Sequence, residues 1–146
     1  MTSTLDVNAP IDTNILTAIR DKEHTRHVDI RETVVRLHAS HRLIVAPQSL
    51  YEYWSVATRP KNVNGMGRSP EQAALDIEVL RRSFTVLPDP TELLDEWLDL
   101  CRTYGVSGKT AHDARLAAYA RLHTIPTLIT LNARDFARYG LNVAVP

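Results

Sequence analysis

Among 146 residues there is one cysteine, so no disulfide can form within the chain. That cysteine, Cys101, closes the run Leu93-Leu94-Asp95-Glu96-Trp97-Leu98-Asp99-Leu100-Cys101, where helical spacing sets it beside Leu94, Trp97 and Leu98. It is expected as a buried small apolar side chain rather than a reactive thiol, which suits the reducing cytosol. Long apolar runs are also missing: nothing approaches the roughly 18 residues of a membrane span. Residues 1–10 carry neither a basic stretch nor an apolar core, so neither export nor membrane insertion is expected and the location implied is cytoplasmic. An excess of one charge sign is absent too, since 17 basic residues balance 17 acidic ones. The broad positive footprint of a non-specific DNA-binding protein is therefore excluded, and any nucleic-acid contact has to be local. Arg59, Lys61 and Arg68 form one such patch, or else are ordinary solvated charges. The six histidines include the pairs His24/His27 and His38/His41, yet no HExxH and no cysteine pair accompanies them, which argues against zinc. P-loop, dinucleotide-binding glycine and GxSxG patterns are likewise absent.

What is present is an ordinary globular composition, with 44% hydrophobic and 23% charged residues. The length suits one domain spanning 1–146, with a core that needs no disulfide or structural metal. The pattern alternates. A short apolar piece ends at Pro10-Ile11; Ile30, Val34 and Leu37 follow at helical spacing; Leu43-Ile44-Val45-Ala46 reads as a strand. Pro47 suits the first turn of a helix over 48–58, with Leu50, Trp54 and Ala57 on one face. Residues 59–69, with Pro60, Gly65 and Gly67, form the one obvious long loop. Ser69-Pro70-Glu71-Gln72 then offers an N-cap, an N1 proline and a capping-box glutamine, with Ala73, Ile77 and Leu80 on the face that follows. A strand over 84–87 comes next, and Asp89-Pro90-Thr91-Glu92 reads as a second cap opening the Trp97 helix. A helix over 111–123, a strand over 127–130, a short helix over 133–139 and a strand over 143–145 complete the chain. Strands alternating with helices predict an α/β fold: a parallel sheet covered on both faces, with the functional site beyond the strands' carboxyl ends.

Several acids fall at that edge. Asp12 follows the first strand, Glu52 lies one turn into the helix after the second, and Asp113 opens the helix over 111–123. Each has a purely local explanation. Asp12 is a good N-cap, Glu52 suits a first helical turn, and Thr110 with Asp113 resembles a capping box. In Asn132-Ala133-Arg134-Asp135-Phe136, Asn132 is placed to cap and Asp135 to sit near N3. Taken together, however, carboxylates gathered at one sheet edge repel unless a cation is present.

Asp12-Thr13-Asn14, the lone Glu52, His112-Asp113-Ala114 and Thr130-Leu131-Asn132-Ala133-Arg134-Asp135-Phe136, in that order, resemble the PIN-domain nucleases over nearly the whole chain. Pro47-Gln48-Ser49-Leu50-Tyr51-Glu52-Tyr53-Trp54, Ala57-Thr58-Arg59-Pro60, Asn64-Gly65 and Gly108-Lys109 look like the branch containing VapC-type toxins of bacterial toxin–antitoxin pairs. The resemblance implies a PIN-like three-layer α/β/α fold with a central, mainly parallel sheet of four to five strands. It also implies an endoribonuclease using Mg2+ or Mn2+, an RNA substrate, a small cognate antitoxin and a homodimer. Asp12, Glu52 and Asp113 carry over as the metal-site acids. The family's fourth acid position falls on Asn132, an uncharged ligand, with Asp135 three residues on. Thr13, Asn14 and Thr130 carry over as supporting polar groups near the site, with Asn14 and Thr130 also candidates for substrate contact, or are local turn or cap residues. Arg59, Lys109 and His112 are candidates for substrate contact, or are surface, capping or packing residues.

Two rivals are less well matched. An aspartyl phosphotransferase of the haloacid-dehalogenase type wants a second aspartate where Asn14 stands. A degenerate, non-catalytic PIN-like module acting through partner binding finds its support in Asn132.

Overall fold

The computed structural model describes residues 8–125 and 127–146. The expectation for residues 1–10 therefore falls mostly outside the described part. Within it, the elements are β1 (Asn8–Pro10), α1 (Thr13–Arg20), α2 (His27–His38), β2 (Arg42–Val45), α3 (Pro47–Thr58), α4 (Pro70–Ser83) and β3 (Thr85–Val86), followed by α5 (Leu93–Tyr104), α6 (Thr110–Leu122), β4 (Thr127–Ile129) and β5 (Asn142–Ala144). Among the described residues no helix is long and apolar enough to cross a membrane.

All strand pairings are parallel: β1 with β2, β2 with β3, and β4 with β5. Among the described residues a parallel bridge, Ile11 to Ile129, joins the two ladders into the order β3-β2-β1-β4-β5. The alternation of β2 explains the three layers, because successive side chains of a strand point to opposite faces. Leu43 and Val45 enter one buried cluster with α1, α2, α3 and α4, whereas Ile44 and Ala46 enter a second with α5 and α6. The expected α/β/α arrangement is thus built on a sheet apolar on both sides.

Local grammar holds at α4. Ser69 Oγ accepts from the Gln72 N–H, and Gln72 reaches back to the Ser69 N–H. It fails at α5, where Glu92 is the cap residue and makes no side-chain cap. Asp89, expected to cap there, binds Arg115 instead at 2.9 Å. The apolar faces also differ from expectation. On α5 the inward positions are Leu93, Trp97, Leu100 and Cys101, with Cys101 half-buried, while Leu94 and Leu98 are 67% and 39% exposed. On α3, Tyr53 takes the buried place expected of Trp54. The segment over 133–139 is two short 3-10 turns rather than one helix. Buried Phe136 and Tyr139 stand three apart, which places them on one side of a three-residue turn.

The loop over 59–69 folds back onto the end of α3. The Met66, Gly67 and Arg68 N–H groups donate to the carbonyls of Val56, Arg59 and Ala57. Glycine is required at 65, where a Cβ would lie 2.0 Å from the Arg59 carbonyl oxygen. This return delivers Arg68 to Asp76, a residue of α4 that is only 1% exposed.

Candidate functional site

Asp12 sits where β1 and β4 meet: its N–H donates to the Ile129 carbonyl at 2.9 Å. One carboxylate oxygen, Oδ1, accepts from the Thr13 N–H at 2.7 Å, so Asp12 does cap α1. The other, Oδ2, accepts from Thr130 Oγ1 at 2.8 Å and Asn14 Nδ2 at 3.1 Å. Asn14 also braces the far side through the Leu131 N–H, and Thr130 Oγ1 accepts from the Asn132 N–H. Asp12, Asn14 and Thr130 are therefore one hydrogen-bonded unit. Burial raises the Asp12 pKa; Thr130 and Thr13 oppose that, and the charges of Glu52 and Asp135 add to it. The net result is a carboxyl held above its usual range.

Glu52 is placed on α3 by Pro47, which starts the helix one turn earlier. Its Oε2 accepts from Thr13 Oγ1 at 2.8 Å and its Oε1 from Gln48 Nε2 at 2.7 Å. The residue following Asp12 thus grips Glu52 directly.

Asp113 lies in the first turn of α6, without the capping box expected from Thr110. Thr110 is already the first helical residue, and its hydroxyl donates to the Ser107 carbonyl at 2.6 Å. Burial is the main influence raising the Asp113 pKa to about 6, followed by the charges of Asp12, Asp135 and Glu52, with His112 pulling the other way. The negative charges of Asp12, Glu52, Asp113 and Asp135 consequently act on one another at the sheet edge. Among the described residues none of the four has a salt-bridge partner.

Asn132 and Asp135 are both exposed, and Asn132 makes no side-chain cap. Only Asp135 adds its charge to Asp12 and Asp113. Exposed His112 and Lys109 stand at the start of α6 beside Asp113. Arg59 does not join them: it follows the last turn of α3, seven residues beyond Glu52 and roughly 10 Å along the axis. There it donates to the Asn64 carbonyl. Of the other basic residues in its patch, Lys61 pairs with Glu23 and Arg68 with Asp76.

The donor set is hard carboxylate oxygen in anionic excess, which fits Mg2+ or Mn2+ better than zinc. Among the described residues, no three His, Cys, Asp or Glu side chains are gathered tightly enough to enclose an ion. The acids line the sheet edge as an open rim, near enough to act on one another through their charges but not gathered into an enclosing cluster. A cavity of about 850 Å³ lies elsewhere, bordered by α1, α2 and α4, and none of these acids lines it.

Sequence reasoning missed two residues here. Gln48, 6% exposed, reads as a plain helix-start residue, yet it binds Glu52, the His112 carbonyl and Arg115. Its spacing of four from Glu52 was the available signal. Arg115 gives no such signal, because its partners Gln48 and Asp89 are distant in sequence.

Similar folds occur in several solved structures. VapC20 of Mycobacterium tuberculosis, described as a sarcin-ricin loop cleaving toxin, has a TM-score of 0.70 at 17% identity, covering 91% of this chain and 95% of its own. DNA-bound VapBC from Salmonella typhimurium has a TM-score of 0.66 at 23% identity, covering 95% and 98%. A toxin–antitoxin complex from Klebsiella pneumoniae gives 0.60 at 19% identity, covering 88% and 90%. No curated protein sequence matches the chain. The PIN domain family matches residues 10–141, nearly the whole length, and the chain belongs to that family.

Proposed function

We propose that the chain is a divalent-metal-dependent endoribonuclease and the toxin of a toxin–antitoxin pair. The observation that carries this reading is a nearly buried Asp12 whose charged neighbours are carboxylates and which has no basic partner among the described residues. A site in that state is stabilised by a cation. Similarity in fold to VapC20 and to toxin–antitoxin complexes supports the choice of RNA and of an antitoxin partner.

Asp12, Glu52 and Asp113 would hold Mg2+ or Mn2+, with Asp135 rather than Asn132 adding the fourth negative charge. Such an ion acidifies water for attack on phosphorus and offsets charge growing on the phosphate oxygens. Thr130 and Asn14 hold the Asp12 carboxylate in one orientation, and Thr13 does the same for Glu52. Lys109 and His112, exposed at the start of α6, would contact the RNA backbone; Arg59 would reach it only if the RNA extended along α3. Exposed Tyr51 and Trp54 on α3 and Leu94 and Leu98 on α5 suit a homodimer contact.

The second reading, a non-catalytic module, is favoured by the loose spacing of the acids and by Asn132 in the fourth position. Incubating purified protein with RNA in Mn2+ or in EDTA separates the two. The nuclease reading expects Mn2+-dependent cleavage that is lost in folded Asp12→Asn and Asp113→Asn. Intact RNA in Mn2+, or equal cleavage by the variants, rejects it.

A further inference from the structure

Gln48 occupies an unusual position for an amide. It is 6% exposed, and its three polar contacts are Glu52 one turn on along α3 and, across on α6, the His112 carbonyl and Arg115. Nε2 donates to Glu52 Oε1 at 2.7 Å and to the His112 carbonyl at 2.8 Å, while Oε1 accepts from Arg115 Nη1 at 3.1 Å. The two acceptors and the one donor define which end of the amide is which. Arg115 is anchored in turn by Asp89 at 2.9 Å, so a polar chain runs from the loop before α5 through Arg115 and Gln48 to Glu52 and on to Thr13.

Two consequences follow from this geometry. Glu52 has a donor on each oxygen, Thr13 on one and Gln48 on the other, and its carboxylate plane is set between α1 and α3. In addition, the His112 carbonyl is the peptide group immediately before Asp113. One amide therefore ties the helix carrying Glu52 to the turn carrying Asp113. Gln48 is thus a hydrogen-bonded link from the Glu52 carboxylate on α3 to the backbone of the first turn of α6.

We propose that Gln48 is a positioning residue that sets the separation of Glu52 and Asp113 and thereby the affinity of the acidic rim for its cation. The proposal rests on the metal-dependent nuclease reading. Gln48 touches neither ion nor RNA; it acts through Glu52 and the backbone of α6. A side chain that orients ligands in this way is typically worth about tenfold to a hundredfold in metal affinity or activity.

The test uses Gln48→Met, which keeps the length and removes every hydrogen bond, and Gln48→Glu, which keeps the Arg115 contact but turns an oxygen towards Glu52. Three quantities are read: Mn2+ affinity by calorimetry, kcat and KM for RNA cleavage at saturating Mn2+, and the thermal midpoint. The expected result is about a tenfold or greater loss of Mn2+ affinity and of kcat, with KM and the thermal midpoint close to wild type. If Gln48→Met does not fold, Gln48→Glu, whose added carboxylate faces Glu52, is expected to lose kcat at saturating Mn2+ to at least the same extent while still folding, with a lower thermal midpoint in EDTA. Wild-type Mn2+ affinity and kcat in either folded variant, with cleavage still lost in Asp113→Asn, overturn the Gln48 assignment alone. Losses that simply follow the unfolded fraction overturn it as well. A wild-type chain that neither binds Mn2+ nor cleaves RNA overturns both this proposal and the nuclease reading.

Discussion

Asp12 and Asp76 are both almost out of solvent, 8% and 1% exposed, yet their carboxyls are driven in opposite directions. Burial works against the charge of Asp76, but hydrogen bonds from Tyr53, Arg20 and Arg68 outweigh it and hold the group below the usual carboxylate range. Tyr53 donates to one oxygen at 2.6 Å and Arg20 to the other at 2.8 Å. Asp12 also accepts good hydrogen bonds, but its charged neighbours are Glu52 and Asp135, and its pKa is raised. The α1–α4 side of the fold thus contains one compensated acid that locks α1, α3, α4 and the 59–69 loop together. The sheet edge contains an uncompensated set of acids. Burial alone does not separate a structural acid from a functional one; the sign of what surrounds it does.

The largest way to break this contrast is to remove a carboxylate from the open set. Asp12→Asn or Asp113→Asn is expected to lower Mn2+-dependent RNA cleavage by roughly a thousandfold, the equivalent of several kcal/mol of lost charge stabilisation, while the protein still melts cooperatively. Asp76→Ala should do the reverse. Removing the shared partner of Arg20 and Arg68 costs about 3 kcal/mol, read as a lower denaturation midpoint in urea, with Mn2+ affinity unchanged under native conditions.

Some of this contrast was legible in the sequence and some was not. The positions of Asp12, Glu52 and Asp113 at strand ends and helix starts were visible, because strand alternation and an N1 proline are local signals. So was the Ser69–Gln72 cap. Asp76 was invisible as a special residue: it follows Ala73 by three on an amphipathic helix, and its partner Arg20 lies 56 residues away. Arg68 reaches it only because Gly65 allows the loop to fold back. The caps expected of Asp89 and of Thr110 with Asp113 failed for a related reason, since Asp89 found Arg115 and Thr110 found the Ser107 carbonyl. Local grammar ranks the choices open to a side chain; at Asp89 a charged partner brought by the fold overrode it, and at Thr110 a carbonyl of the preceding turn did.

Acidity sharpens the comparison next. A group whose folded pKa is raised contributes stability that is present below its unfolded value and lost as pH rises through the folded one. With Asp113 at about 6 and Asp12 also raised, metal-free protein should lose stability between about pH 4 and pH 7. Asp76, lowered, contributes in the opposite sense: its stabilisation is present above about pH 4 and lost as the solution becomes more acid. Urea melts in EDTA across this range should show the first decline, and Mn2+ should abolish it. The smallest effect expected is a gain. Asp113→Asn relieves repulsion and should stabilise the metal-free protein by up to about 1 kcal/mol, a gain that saturating Mn2+ reverses in relative terms because only the wild type is then stabilised by the ion.

The central claim is that the acids at the sheet edge are matched to a cation, and the electron paramagnetic resonance signal of free Mn2+ tests it most directly. Titrating wild-type protein into a fixed Mn2+ concentration is predicted to deplete the free-ion signal with saturation, and folded Asp12→Asn is predicted to leave it nearly intact. Equal depletion by both, or none by the wild type, would contradict the account.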